Sequence, residues 1–354
     1  MDRGTDVVAV GPFPPPVHGA ALITDRVVDS IDPHLVVHRA DFSPTARERC
    51  GLSLAGRLWR SVWAVRHVLS RSCQLLYLSV PGGYGVLLVL PVAVVARLRG
   101  CRIVCHHNSF AYLSRRRRLH ALLFRVTRSG THITGCVSMS ALMRKRYVPT
   151  ATMVEVSNSI FVRPPTDAAS SRFGHRQSRL VLGHLSNLSV AKGLDVVVDA
   201  AVNLVESGAD VALRLAGPLD SEVEERIVQR AASKLGARLS YWGRISQEQL
   251  DEFFAGVDLF VFPSRYVNEA LPLVVLEAVS RGIPCVASDV GCLGEMLGTV
   301  AIPDPGPSDV VSFVRRGERR VVDRDALAHD RDTAVDALAS VLPIDRSRLP
   351  GTHG

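Results

Sequence analysis

The sequence predicts an α/β protein made of two doubly wound halves, each a parallel sheet covered by helices. Three observations carry this. Apolar runs of strand length alternate with helix-length segments through most of the chain, the pattern of a parallel sheet covered on both faces. The alternation stops across Phe161–Arg179 (FVRPPTDAASSRFGHRQSR), which is rich in Pro, Ser and charge, and then restarts. A chain of 354 residues is about two domains long.

In the first half, Val7–Val10 reads as a strand and runs into the loop Gly11–Gly19 (GPFPPPVHG). Leu75–Ser79 is the next strand, followed by a glycine-rich turn and an apolar helix over Val86–Leu98. Arg102–Cys105 is a third strand, with His106, His107 and Asn108 at its end. Ile133–Gly135 and Thr152–Val156 are short later strands. After the linker, Leu180–Leu185 is a strand, Gly193–Ser207 a helix, Val211–Ala216 a strand, Ser221–Leu235 a helix, Leu239–Trp242 a strand and Gln247–Ala255 a helix. Leu259–Pro263 and Pro284–Ser288 are strands on either side of a further helix. Beyond Pro303 the periodicity fades, leaving one weak helix near Asp332–Leu342.

Composition excludes several classes. The hydrophobic share is 47% and the charged share 21%, ordinary for a globular enzyme. The longest apolar run, Val86–Ala96, is too short to span a membrane and contains Pro91. A secretory signal is not expected, because an apolar strand follows a few polar residues at the N-terminus. Seven cysteines without paired spacing point to reduced thiols and a cytoplasmic setting. Charge is uneven. Residues 1–170 hold 22 Lys+Arg against 9 Asp+Glu, residues 171–354 hold 20 against 25, and Arg49–Pro149 has no carboxylate at all. A basic half attracts anions: a lipid diphosphate or an anionic membrane surface. Nucleic acid is not expected as a partner, because few aromatics are present to stack bases. The charge runs are also read as solvated faces, and the arginine richness as codon bias, since only three lysines occur in the chain.

The segment Asp258–Gly291 (DLFVFPSRYVNEALPLVVLEAVSRGIPCVASDVG) holds the most chemistry. Glu269 and Glu277 lie eight residues apart, and Pro272 between them suits the first position of a helix, where no N–H is lost. The free N–H groups and positive dipole end of that helix suit an anion. With an acid in the preceding loop and another inside the helix, the layout fits a nucleotide sugar. This wording resembles the E-x7-E signature of retaining glycosyltransferases of the GT-B fold, family 4. The resemblance implies two Rossmann-like domains with an interdomain cleft. Residues 1–165 would bind acceptor, residues 175–305 would bind the nucleotide sugar, and residues 306–354 would form a short, diverged C-terminal tail.

The resemblance also assigns candidate residues. Glu269 would hold the donor sugar and stabilise positive charge near its ring, and Glu277 would accept hydrogen bonds from the ribose diol. Leu271, Pro272 and Leu273 would present the helix start to the donor. LGHLSNLSVAKGLD (182–195) resembles the donor-phosphate motif, with Lys192 as the phosphate-binding lysine. The usual arginine is replaced by Ser186, next to Asn187, both able only to hydrogen bond; Arg265 could compensate. One of His106 and His107 would meet the donor sugar. We take His107 as the catalytic histidine and His106 as donor-binding, and pleat geometry lets only one of them face the site. Gly19 and His18 would face donor phosphates and acceptor, with Asn108 on the acceptor rim. Gly217 and Arg244 would lie near the base. Gly243 would also let the backbone pass near the base, Ser138 and Asn158 occupy family positions that capping or turn roles explain better, and Gly291 and Glu295 lie in a turn that would shape the pocket wall or simply join strand to helix.

The chemistry implied is retaining transfer from a nucleotide diphosphate donor to a hydroxyl of a glycan, a lipid-linked acceptor or a small molecule. No metal or cofactor is expected, because no Asp-x-Asp cluster lies beside the phosphates. The setting would be cytoplasmic, with peripheral attachment at the inner membrane face. Two rivals remain: a nucleotide-sugar 2-epimerase of the same fold, and a catalytically weak or inactive GT-B subunit serving as a binding scaffold.

Overall fold

The structure is a computed structural model that describes residues 6–43, 54–69, 73–163, 179–219, 221–297, 301–317 and 324–350. The chain divides into two compact units. The first comprises Met1–Phe161, Val267–Leu271 and Asp330–Gly354, and the second Val162–Tyr266 and Pro272–His329. Most of the linker predicted over Phe161–Arg179, residues 164–178, lies outside the described residues.

The first unit is a six-stranded parallel sheet of β1 (Asp6–Gly11), β2 (Val36–Asp41), β3 (Cys73–Ser79), β4 (Arg102–His106), β5 (Thr131–Thr134) and β6 (Thr152–Glu155), in the order β2-β1-β3-β4-β5-β6. The central strands β1 and β3 are nearly continuous apolar runs and are buried along almost their whole length, as strands covered on both faces must be. The crossovers include α1 (Gly19–Asp29), α2 (Leu54–Leu69), α3 (Val86–Leu98), α4 (Arg118–Val126) and α5 (Val137–Arg146). Helix α3 packs against both α2 and α4, so these three form one layer. It buries Val86, Val89, Val92, Ala93 and Ala96, while Pro91 lies on its exposed side.

The second unit repeats the plan with β7 (Leu180–Leu185), β8 (Val211–Ala216), β9 (Leu239–Tyr241), β10 (Leu259–Phe262), β11 (Cys285–Ser288) and β12 (Ala301–Ile302), ordered β12-β11-β10-β7-β8-β9. Helices α6 (Leu194–Glu206), α7 (Glu222–Leu235), α8 (Gln249–Phe254), α9 (Leu273–Ser280), α10 (Leu293–Leu297) and α11 (Pro307–Arg315) connect or flank the strands. Helix α6 lies against α7 and α11 over a core of Leu182, Val197, Leu213, Val261 and Phe313.

Several expectations are revised. Strand β2 and helices α1 and α2 were not foreseen. Strand β2 is an edge strand with a single buried residue, Ala40, and so lacks the apolar signature of its neighbours. Pro272 is the cap of α9, with extended backbone, and Leu273 is the first helical residue. The C-terminal region is better formed than the faded periodicity suggests. Helix α12 (Arg324–Val341) precedes a segment in which Ile344 bridges Ile31, the Asp345 N–H donates to the Ser30 carbonyl at 2.7 Å, and the Asp32 N–H donates to the Pro343 carbonyl at 2.9 Å. Cys73, Cys101, Cys105 and Cys285 are free. Cys136 and Cys292 are disulfide-bonded, which corrects the expectation of reduced thiols for those two.

A buried cation ties part of the second unit together. Arg281 is 1% exposed, and its guanidinium donates to Asp251 Oδ1 on α8 at 2.5 and 3.0 Å and to Glu277 Oε2 on α9 at 2.5 Å. It also lies over the Phe254 ring, 5.2 Å from the centroid, and Phe254 meets Phe260 edge-on. Phe254→Ala opens a cavity under this guanidinium and is expected to cost roughly 3–5 kcal/mol, read as a lower urea midpoint. A loss under 1 kcal/mol would contradict this packing account.

Candidate functional site

In open parallel sheets, ligands bind beyond the carboxyl ends of strands, where the strand order reverses. In the first unit the reversal lies between β1 and β3; in the second it lies between β7 and β10. Of the predicted site residues, His18 and Gly19 follow β1, Ser186, Asn187 and Lys192 follow β7, and Glu269 and Leu271–Leu273 follow β10, with Glu277 inside α9; His106, His107 and Asn108 stand at the end of β4, Gly217 after β8 and Arg244 after β9.

In the first unit, the proline-rich loop after β1 is held by Asp41 and Ser43. The Phe13 N–H donates to Asp41 Oδ1 at 3.1 Å and to Ser43 Oγ at 3.0 Å. The loop ends at His18, the N-cap of α1, whose Nδ1 accepts from the Ala21 N–H at 3.3 Å. Burial lowers the His18 pKa, against a smaller opposing pull from Asp41, so Nδ1 remains an acceptor. Gly19 opens α1 with nothing within 4 Å of where a Cβ would stand, which leaves room for a ligand at its backbone.

The two histidines separate sharply. His107 is 1% exposed, and both of its ring nitrogens are used: Nδ1 lies 2.7 Å from the Tyr112 hydroxyl and Nε2 3.0 Å from His132 Nδ1. His132 Nε2 lies 3.2 Å from the Thr127 carbonyl, which can only accept, so the proton order is fixed along the chain. His132 donates to Thr127, His107 donates to His132, and Tyr112 donates to His107. His107 is therefore a core residue, and its assignment as the catalytic histidine is corrected. His106 makes one ring bond, from Nδ1 to the Tyr77 hydroxyl at 2.8 Å, and among the described residues nothing partners its Nε2. It ends β4 and is the better candidate of the pair. Asn108 is half-buried, its amide donating to Ser79 Oγ at the end of β3.

Glu269 lies in a short segment that belongs to the first unit and is held there through its backbone. Ser114 Oγ donates to the Val267 carbonyl, the Phe110 N–H and Ser109 Oγ donate to that of Asn268, and Asn158 Nδ2 donates to that of Leu271 at 2.6 Å. Asn158 is buried and fixes Leu271, itself buried, so it is more than a turn residue. Ser138 lies 3.2 Å from Cys136 Sγ, in the first turn of α5.

In the second unit, the chain leaves β7 through Ser186 and Asn187 and makes a 3₁₀ turn, Val190–Lys192, capped by Ser189. Lys192 ends that turn with its ammonium 4.7 Å from the Tyr266 ring centroid and 5.8 Å from that of Phe262, favourable cation–π placements at the end of β10. Gly193 follows at φ 83°, where a Cβ would strike the Pro263 carbonyl, so glycine is required where the two loops meet. The next residues open α6 without a side-chain cap, and α9 after Pro272 also lacks one. Both helix starts therefore keep backbone amides for a ligand.

Three assignments in this unit change meaning. His184 is buried and neutral, its pKa pushed down to about 4 by burial. Its Nδ1 donates to the Val261 carbonyl at 2.8 Å, so Nε2 accepts the Ser186 hydroxyl at 3.0 Å. The Ser186 proton is committed inward and is not offered to a phosphate. Arg265, the suggested replacement for the missing arginine, is engaged by both oxygens of Asp195 at 2.7 Å. Glu277 is buried and tied to Arg281, a partner that sequence reasoning missed although the arginine stands four residues later, the spacing of a helical ion pair. Asn187 and Arg244 are exposed. Gly217, at φ 129°, backs onto the Ser186 carbonyl, and its N–H donates to the Gly243 carbonyl at 2.6 Å. Gly291 also adopts a positive φ. Glu295 lies in the first turn of α10. Among the described residues no group of three or more His, Cys, Asp or Glu could hold a metal ion, and no helix is long and apolar enough to cross a membrane.

Known proteins resemble this chain in sequence and in fold. Residues 166–300 match the family model of glycosyl transferases group 1. The chain is 28% identical over 214 residues to the putative glycosyltransferase EpsF of Bacillus subtilis (strain 168), covering 56% of this chain and 54% of that one. It is 30% identical over 165 residues to the lipopolysaccharide core biosynthesis mannosyltransferase LpsB of Rhizobium meliloti (strain 1021), covering 42% and 45%. The chain thus spans about half the length of these curated relatives. The structure of Anabaena Alr3699/HepE in complex with UDP-glucose superposes with a TM-score of 0.68 at 14% identity, covering 95% of this chain and 98% of that one. The sucrose-phosphate synthase of Thermosynechococcus elongatus gives 0.65 at 15% identity, with 96% and 95% covered. Two parallel-sheet units with these neighbours are the GT-B fold.

Burial holds His106 neutral with its pKa down to about 3, and His132 and His184 at about 4, against an ordinary 6.5. Unfolded, each takes up a proton below pH 6.5 that the folded site refuses. Their contribution to stability is therefore complete above 6.5 and falls as pH drops toward 4, by about 1.4 kcal/mol per pH unit for each histidine. Urea unfolding followed across that window should show the slope; constant stability would contradict it.

Proposed function

We propose that this chain, whose residues 166–300 belong to the glycosyl transferases group 1 family, is a retaining glycosyltransferase. It would move a sugar from a nucleotide diphosphate donor to a hydroxyl of a glycan, lipid-linked or small-molecule acceptor. The observation that carries this reading is the meeting of the β7 and β10 loops. There Lys192, standing on aromatic rings, shares the strand-order reversal with two helix starts that lack side-chain caps. A lysine ammonium and convergent backbone amides suit a diphosphate.

In this reading the second unit holds the donor. Lys192 and the amides opening α6 and α9 meet the diphosphate and stabilise the charge that grows on it as it leaves. Glu277, oriented by Arg281, accepts hydrogen bonds from the ribose diol. Gly217 and Arg244 lie toward the base. On the first unit, Glu269 and His106 hold hydroxyls of the transferred sugar, and His18, Gly19 and Asn108 serve the acceptor side. The anomeric carbon loses its bond to the phosphate oxygen and gains one to the acceptor oxygen on the same face. The acceptor proton passes to the departing phosphate, so no side-chain base is invoked. The reaction as proposed draws on no cofactor beyond the sugar nucleotide. With a lipid-linked acceptor the protein would work peripherally at an inner membrane face.

A second reading has one specific observation behind it. Ser186 and Arg265 are both engaged internally, so the phosphate grip rests on a single cation, as in a weak or inactive subunit that binds rather than transfers. Slow hydrolysis of a nucleotide sugar without acceptor separates the two, because a binding subunit shows none.

Uridine diphosphate is the first nucleotide to test, given the UDP-glucose bound by the HepE neighbour. A ligand at a hundred times its Kd adds about 2.7 kcal/mol of stability, visible as a rise in melting temperature. Lys192→Ala should weaken binding by roughly 1.5–3 kcal/mol, raising donor KM about 10- to 100-fold. Glu277→Gln, which keeps the shape beside Arg281, should raise donor KM in the same sense. Glu269→Gln should lower kcat with little change in nucleotide affinity. Unaltered donor affinity in both the Lys192 and Glu277 variants would end this assignment.

A further inference from the structure

Helix α3 carries a feature that a core helix should not have. Its outward row, Leu87, Pro91, Val94 and Leu98, repeats at spacings of four, three and four residues, one face of a helix, and all four are exposed. A helix packed on one side normally turns polar residues outward; this one is apolar on both sides, and Leu98 is 80% exposed. The neighbouring helix in the layer, α2, adds exposed Leu58, Trp59 (63% exposed) and Val62. On the other side, α4 adds Leu122. Exposed apolar side chains on three helices of one layer point to an interaction face.

The charge that the three helices themselves carry is of one sign. The stretch Arg49–Pro149, which supplies all three helices, contains no Asp or Glu. Between α3 and α4 lies an open groove of about 300 Å³, lined by Val94, Leu98 and Val126 and by Arg97, Arg125 and Arg128. Arg97 donates to Ser129 Oγ at 2.5 Å, a neutral partner that leaves its charge uncompensated. Three guanidinium groups around an aliphatic floor match a phosphate above hydrocarbon, the chemistry of an anionic phospholipid.

We propose that the α2–α3–α4 layer of the first unit is a membrane-docking face. Its apolar row would lie in the headgroup–acyl boundary of an anionic leaflet, and Arg97, Arg125 and Arg128 would take lipid phosphates. Charge complementarity selects this occupant. A protein partner or second copy would have to bring many carboxylates to three helices that have none of their own, and nucleic acid would leave the outward leucines in water. The inference deepens the peripheral location proposed above, yet lipid binding needs neither donor nor transfer, so the two fail separately.

Flotation of the full chain tests it. The protein should rise with vesicles of phosphatidylcholine and phosphatidylglycerol at low salt, be released as salt increases, and remain behind with phosphatidylcholine alone. The triple variant Arg97→Gln, Arg125→Gln, Arg128→Gln should partition roughly 100-fold more weakly, at about fivefold per arginine. Leu87→Ser with Leu98→Ser should also weaken binding at low salt, which a purely electrostatic contact would not show. All five side chains are solvent-facing, so melting temperatures and the uridine diphosphate shift should match those of the unaltered chain. Failure to float with anionic vesicles would overturn the proposal, as would equal flotation with phosphatidylcholine. Sedimentation showing a dimer dissolved by the two leucine changes, or binding to RNA in place of vesicles, would also overturn it.

Discussion

The buried guanidinium of Arg281 is the constraint around which the second unit is arranged. An arginine cannot shed its proton at any ordinary pH, so a buried one must be neutralised where it stands. Asp251 from α8 and Glu277 from α9 do this at hydrogen-bond distance, with the Phe254 ring against the flat face of the cation. The requirement fixes both helices against the end of the sheet that holds β10 and β11. It also gives Glu277 a single orientation. A planar guanidinium whose other nitrogens are held by Asp251 keeps that carboxylate from rotating better than a flexible lysine would. Substitution of Glu277 therefore removes half of the arginine's compensation.

The fold was readable wherever strands are central. β1, β3, β7, β8 and β10 are apolar runs because a parallel sheet buries both faces, and the apolar helix Val86–Leu98 has the bounds read from sequence. Legibility ended at the edges. β2 has one wet face and mixed polarity, so its six residues look like loop. The C-terminal region is joined to the first unit by backbone hydrogen bonds around Ser30 and Asp32, which leave no trace in hydropathy.

Placement of the candidate site was readable, and the state of its side chains was not. Glycines 193 and 217 and the proline ahead of α9 follow from backbone geometry, which sequence encodes locally. Which histidine is available depends on the phase of β4 relative to Tyr77, Tyr112 and His132, all set by tertiary packing. Ser186 looked like a neutral substitute for a missing cation; only the tautomer of a buried histidine two residues earlier shows its proton to be already spent. Arg265 likewise was a possible compensating cation on sequence, yet its geometry satisfies Asp195 first.

The pairing of Ile31 with Ile344 has a further meaning for how the protein is made. Residues near the beginning of the first unit wait for partners that leave the ribosome more than three hundred positions later. During synthesis, the β1–β6 sheet is built with the carbonyl of Ser30 and the N–H of Asp32 still facing solvent. The second unit, whose segments are complete sooner, can close while the first remains unfinished. A chimera joined at a single boundary near residue 162 would separate the first unit from its own last strand-like segment, so exchange of halves between relatives calls for at least a second crossover near residue 330.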